Sequence, residues 1–411
     1  MADSPDHADQ GPSAELRATT VLYAQTVLFS LTLGMIMMLT PLYVLELGYS
    51  VAWLGVIISA QGVFQLGLRL FGGVLSDRVG ERWVIAANFL ALLSAALLLA
   101  LFETLWLLIL AQLLTGASRS IYWTASQSYA SRINEAKAVS IIGRFFGIGA
   151  AGGIVGTFAG GLLAGTAGYT VGFLMTTGMA AVSLLTVAVQ PSLPRKAAKS
   201  IRAILSPIPA MFVRRTSQLP AIISFGTSLV VALVGSLMSA YLVQEGYSET
   251  GVGLLRAVHG GGAVVAGFAY GLLISKLGAR WLYAFVMLGS GGFLALAVIA
   301  SGAFWPMLVL MFALGVAFNA GRVLYASMTA ELSAPEERGV AMAVFGLYWA
   351  AAQLVGPVTF GLLAGLIGLA ESLLVAGAII MVPGVLTPWL FSFFTPKPVT
   401  AAPTELPERS S

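Results

Sequence analysis

The chain contains no cysteine. That absence excludes disulfides, thiolate metal sites and cysteine nucleophiles, and it leaves the redox compartment open. Histidine occurs only at His7 and His259, too few for a histidine metal cluster, so neither a metal nor any other cofactor is expected. Charge is scarce too. Only 9% of the 411 residues are Asp, Glu, Lys or Arg, against about 25% in a soluble domain. No GxxxxGK[ST] loop or soluble domain is there to serve a nucleotide motor. Enzyme chemistry would need acids, bases or metal ligands clustered near one interface, and the sequence offers no such cluster, so an enzyme is not expected.

What remains is apolar. Hydrophobic residues make up 58% of the chain and the mean hydropathy is +0.92. Crossing a hydrocarbon core of roughly 30 Å takes about 20 apolar residues as helix. Twelve stretches qualify: 19–45, 51–75, 83–102, 105–128, 139–165, 170–190, 219–243, 250–274, 281–300, 304–329, 339–364 and 370–393. They lack the strict alternation of barrel strands, so the fold class is all-α integral membrane with 12 transmembrane helices. Residues 1–18 carry Asp3, Asp6, Asp9 and Glu15 against Arg17 and read as a disordered tail without the basic start of a secretory signal.

With both ends inside, the exterior loops hold no cation, while five of the 21 Lys and Arg residues fall in spans and the other 16 in cytoplasmic segments. The positive-inside rule thus places the protein in the cell membrane with cytoplasmic termini. The net charge of +4 reports topology and contact with anionic membrane lipid, and no nucleic acid partner is expected.

One sentence of sequence is written twice. Gly73-Val-Leu-Ser-Asp-Arg-Val-Gly80-Glu-Arg82-Trp83 returns 198 residues later as Gly271-Leu-Leu-Ile-Ser-Lys-Leu-Gly278-Ala-Arg280-Trp281. The same offset pairs Tyr43 with Tyr241, Gly48-Tyr49-Ser50 with Gly246-Tyr247-Ser248, and Gly55 with Gly253. Two six-helix bundles of like orientation follow, 19–190 and 219–393, as parallel repeats. Between them lies a basic linker, 191–218, whose stretch from Lys196 to Leu205 is either a short amphipathic surface helix or plain linker; 394–411 is a second cytoplasmic tail.

The turn after span two puts an acid and two bases at a helix junction, where Asp77 suits unpaired N–H groups and Gly80 a tight turn. These residues resemble the GxxxDRxGR-type loop of the major facilitator superfamily, in Gly73, Asp77, Arg78, Gly80 and Arg82, with Glu81 where a basic residue is usual. The resemblance runs from about residue 19 to 393. It implies a transporter in which this loop latches the outward-open state, Asp77 docking near Gly339. Ser275 replaces the acid in the second copy, so gating is expected to be asymmetric. Span five carries Gly143, Gly152, Gly156, Gly160 and Gly161, which resembles the glycine pattern of drug–proton antiporters; Thr157 stands where that pattern has proline. Physically, such glycines let helices pack closely.

An ionisable group inside the membrane costs roughly 2.5 to 3.5 kcal/mol on insertion scales and is a functional candidate by default. Here the candidates are Arg69, Arg119, Arg144, Arg256, Arg322 and His259, with no acid deeper than a helix end. Arg144 lies near the surface and Arg69 reads as structural. The family resemblance makes spans one, four, seven and ten the cavity lining. It thereby implies an anion-gripping pair, Arg119 and Arg322, with Tyr122, Trp123, Asn319 and Tyr325 around it. The competing reading of Arg119 is a buried base satisfied by Trp123. A coupling proton is assigned to His259 or Glu46, whose alternatives are packing and a solvated helix end.

The expected function is a monomeric secondary transporter moving a small organic solute by alternating access, as efflux of an amphipathic or anionic compound coupled to a proton or counter-anion. Organic-anion uptake or exchange, a flippase-like hold on lipid headgroups, and a sensor or scaffold on the same fold remain alternatives.

Overall fold

The computed structural model describes residues 12–193, 206, 208–333 and 338–394, excluding the side chains of residues 12, 69–74, 76–77, 135 and 338–340. The described chain is helical throughout. Ten helices are long and apolar enough to cross a membrane, and the bent pair Leu369–Val385 and Thr387–Phe394, at 53°, makes an eleventh. The twelfth comes from Glu249–Ile299, whose 51 residues are divided by non-helical backbone at Gly278 (φ 70°, ψ 165°). In chain order the first six spans are Pro12–Glu46, Val51–Val79, Glu81–Leu101, Leu105–Ile133, Ala138–Ala167 and Tyr169–Thr186. Span seven is Gln218–Gly235 continued by Leu237–Gln244 across a break at Ser236. Spans eight and nine flank Gly278, and Phe304–Leu332, Arg338–Ile367 and the bent pair complete the set. Twelve crossings return the chain to the face it left, here called the terminal face; the opposite one is the far face.

Three turn types repeat between the halves, and they explain why the sequence echoes itself. The positive-φ glycines of the described chain are Gly48 and Gly246, Gly80 and Gly278, Gly168 and Gly368, which form three pairs at matching turns. Only glycine enters this region without strain. At the far face Gly48 and Tyr49 donate back to the Leu45 and Val44 carbonyls, and Gly246 and Tyr247 to those of Val243 and Leu242, closing spans one and seven in the same way. Tyr49 Oη then donates to the Glu103 carbonyl (2.9 Å) and Tyr247 Oη to that of Ser301 (2.6 Å). Ser50 and Ser248 accept from Trp53 N and Gly251 N and start the next helices. Each residue of the doubled Gly-Tyr-Ser thus has its own task.

Two expectations change at the edges. The tail assigned to 1–18 is helical from Pro12, because proline fits a first helical turn and Glu15 is held by Lys137 Nζ and Asn134 Nδ2, both at 2.8 Å. In the linker assigned to 191–218, Ile208–Val213 is a short helix with Ile208 and Met211 buried. Lys196 to Leu205, the candidate amphipathic helix, and the tail beyond Phe394 lie outside the described residues.

The halves meet along two crossings. Span two packs on span eleven, where a Cβ on Gly361 would stand 2.9 Å from Gly55 Cα, and Ser59 Oγ accepts from Val358 N at 2.8 Å. Span five packs on span eight, where a Cβ on Gly161 would stand 2.7 Å from Gly253 Cα. Since Gly55 repeats as Gly253 and Gly161 as Gly361, one contact is made twice with the roles of the halves exchanged. Both lie in the far-face part of the helices. Nearer the terminal face, Gly67 and Gly147 have open space where a Cβ would be.

Candidate functional site

Residues of both halves line a cavity of about 1020 Å³. Spans one, five, seven, eight and ten line it, with Trp123 contributed by span four. On span eight the wall runs from Arg256 to Phe268, about 18 Å of helix at 1.5 Å per residue. The end lined by the buried His259 and Val234 lies toward the far face, beneath the Gly161–Gly253 crossing. Toward the terminal face Phe268 is 90% exposed and Arg322 is exposed as well, so the cavity is open there.

Spans five and eight supply much of the wall, a contribution the one-four-seven-ten scheme leaves out. Glycine explains it. Gly152, Gly156 and Gly160 lie on one stripe of span five and press on Ser30, Leu31 and Met35 of span one, whereas Gly161 faces Gly253 across the molecule. Gly143 is exposed and has nothing within 4 Å of a Cβ position, so it makes no close approach.

Among the described residues that line the cavity, the polar groups are few and include no acid. Asn319, Arg322 and Trp123 line it, together with Ser30, Arg256 and His259. Asn319 Nδ2 donates to the Ala263 carbonyl at 2.7 Å, tying span ten to span eight. Trp123 stacks on Phe146 at 5.7 Å within a group of rings that includes Phe29 and Phe145. His259 is only 7% exposed, its ring lies 5.6 Å from Phe318, and its Nε2 has no hydrogen-bond partner. Ser30 Oγ is likewise buried and unpartnered. Arg256 Nη1 donates to the Met37 carbonyl at 2.7 Å, an interaction between the halves.

The structure does not bring the other expected residues into this wall. Tyr122 is fully buried, stacked on Phe29 at 3.8 Å and hydrogen-bonded to Thr26 Oγ1 at 3.0 Å, so it joins span four to span one. Tyr325 packs into the core beside the cluster of Ile208, Met211 and Phe345. Arg119 is half-buried and not part of the cavity lining, one turn from where Gly116 meets the Gln61 carbonyl. Glu46 is exposed at the far-face end of span one, away from the cavity.

Of the latch residues, Gly73 and Asp77 lie in the last turns of span two, and their side-chain level, like that of Gly339, is outside what the structure describes. Arg78 is exposed and Gly80 makes the turn at φ 97°. Arg82 Nη2 donates to the Ala188 carbonyl at 3.0 Å, holding span three to the end of span six. Glu81, which the sequence marks only as a departure from a basic consensus, pairs with Arg132 of span four and accepts from Ser128 Oγ at 3.2 Å.

A central cavity between two repeated six-helix bundles is the arrangement found in membrane transporters of one large family, and the family model described as Major Facilitator Superfamily matches residues 22–248 and 220–411. The chain belongs to the Major Facilitator Superfamily. It is therefore a multi-pass membrane transporter and not an enzyme. Among its relatives, the multidrug resistance protein MdtG of Salmonella paratyphi C is 26% identical over 174 residues, 41% of this chain and 43% of that protein, so the match spans less than half of MdtG. The quinolone resistance protein NorA of Staphylococcus aureus is 23% identical over 352 residues, covering 84% and 89% of the two chains. In structure the transporter resembles the nucleoside transporter NupG, with a TM-score of 0.74 at 15% identity over 93% of this chain and 100% of the other. It also resembles an inward-facing, unoccupied bacterial homologue of the human lysosomal transporter Spinster, with a TM-score of 0.79 at 12% identity over 93% and 98%. At such identities these likenesses concern the fold.

Proposed function

We propose that this superfamily member is a secondary transporter that exports an amphipathic organic solute, anionic or neutral, by alternating access, and that both chain ends are cytoplasmic. The observation that carries the reading is the charge of the cavity: arginine at each end, Arg256 and Arg322, a mostly apolar wall between, and no carboxylate among the described lining residues. A site without a carboxylate has no anion to pair with an organic cation, whereas guanidinium pairs well with carboxylate, phosphate or sulfonate. Trp123 and Phe318 offer apolar faces to the rest of such a solute. Export, rather than uptake or exchange of an organic anion, is favoured by MdtG and NorA, both of which are named for resistance. Transport is driven by a proton or counter-anion gradient, with His259 the candidate proton carrier, and the working unit is a monomer.

Flux into and out of proteoliposomes, with matched anionic, neutral and cationic aromatic solutes, tests this. The anion and the neutral compound should be moved in the exporting direction and the cation excluded. Transport of the cation alone, or no flux of any solute, would overturn the proposal.

A further inference from the structure

Span one carries Pro41 inside its helix. Proline has no N–H, so the carbonyl four residues earlier, that of Met37, loses its helical donor. That carbonyl receives Arg256 Nη1, from the other half of the molecule, at 2.7 Å. A cation on one bundle therefore rests on an acceptor that Pro41 leaves open in the facing helix, with Met38 Sδ beside it at 3.5 Å, just inside the far-face crossing of spans five and eight. One turn further into the cavity, His259 holds Nε2 without a partner at 7% exposure. Burying a polar atom unpaired costs about 1 to 3 kcal/mol, and a group kept that way on a cavity wall is suited to meet a ligand.

We propose that Arg256 and His259 form an anion subsite at the closed end of the cavity. A carboxylate, sulfonate or phosphate headgroup bound there takes Arg256 off the Met37 carbonyl and so loosens the far-face closure. A charged oxygen outcompetes a neutral carbonyl for a guanidinium, because it adds the attraction of opposite full charges and accepts two of the guanidinium's N–H groups at once. A solute lacking the anionic head fills the same apolar cavity without releasing the tie. The inference rests on reading this cavity as the solute path, and it assigns to the solute's head the task of opening the gate ahead of it.

The test uses the full-length protein in nanodiscs with naphthalene-2-sulfonate as the anionic probe and 2-naphthyltrimethylammonium as its cationic match. A single cysteine at the cavity-lining Val234 reports opening by its labelling with an impermeant maleimide from the far face. In the otherwise unchanged protein the sulfonate should bind and raise labelling several-fold, and the cation should do neither. Arg256→Gln should weaken sulfonate binding at least tenfold and leave labelling high with or without ligand. Pro41→Ala restores the N–H that competes for the Met37 carbonyl. It should raise labelling without ligand while keeping sulfonate affinity at or above its original value. The subsite is overturned if Arg256→Gln binds the sulfonate unchanged, or if the unmutated protein does not bind it; the release mechanism is overturned if Pro41→Ala labels at the original rate. Flux of some other solute alongside absent sulfonate binding would sink this subsite and leave transport standing, whereas absent flux of every solute would sink the transport reading itself.

Discussion

Glu81 sits 4% exposed at the terminal-face start of span three, against Arg132 near the end of span four at 6%. Breaking a buried pair from one side costs about 3 to 5 kcal/mol, because the remaining charge stays desolvated. Glu81→Arg should therefore lower the unfolding temperature in detergent sharply, and Glu81→Arg combined with Arg132→Glu should recover most of it; a double variant no more stable than the single would count against the pair. Arg119 and Arg322 should separate as well. Arg322 lines the cavity and Arg119 does not, so Arg322→Ala should weaken an anionic ligand tenfold or more, and Arg119→Ala by less than threefold, in equilibrium binding. The sequence cannot separate them because residue type says nothing of helix rotation, which turns Arg322 into the cavity and Arg119 away from it. Tyr122 shows the same limit, since its hydroxyl invites a reading as a ligand group until Thr26 and Phe29 are seen to occupy it. His259 and Arg256 are visible as ionisable groups in a span, but Arg256's acceptor is 219 residues away and unreadable from local pattern.

At the scale of helices the turns were the most legible part, because a doubled Gly-Tyr-Ser or a doubled Gly before Arg-Trp is local chemistry written into local sequence. Which helices line the cavity was less so. A run of glycines says that a helix packs closely, yet every face of it looks alike in composition, and the structure sorts them: Gly156 lies against the Leu31 backbone and Gly143 against nothing. Gly156→Ala should thus cost about 1 to 3 kcal/mol through overpacking, whereas Gly143→Ala should be neutral or gain up to about 1 kcal/mol from helix propensity. Thermal unfolding of the two variants side by side decides it; equal shifts would mean that span five does not read its glycines by face.

For the molecule as a whole, the paired crossings mean that the far face is held shut by close backbone contact, to which one of the two crossings adds a charged tie. Gly55 on Gly361 and Gly253 on Gly161 are the same contact related by the pseudo-two-fold, so substituting either glycine of a pair should wedge the bundles apart at that face. The crossings are not equivalent in one respect. The span five and eight side carries the Arg256 tie to Met37, whereas the residue at Arg256's repeat position in span two is Ile58, which is apolar and buried. A wedge at Gly253 must stretch that bond as well as the helix contact, and a wedge at Gly55 need not. Gly55→Val and Gly253→Val should each raise far-face labelling of a cysteine placed in the cavity, which the cysteine-free chain allows without background. Adding Arg256→Gln should increase labelling further in Gly253→Val more than in Gly55→Val. Equal increments in the two backgrounds would show that the tie bears on both crossings alike, and that the repeat is symmetric in gating as well as in form.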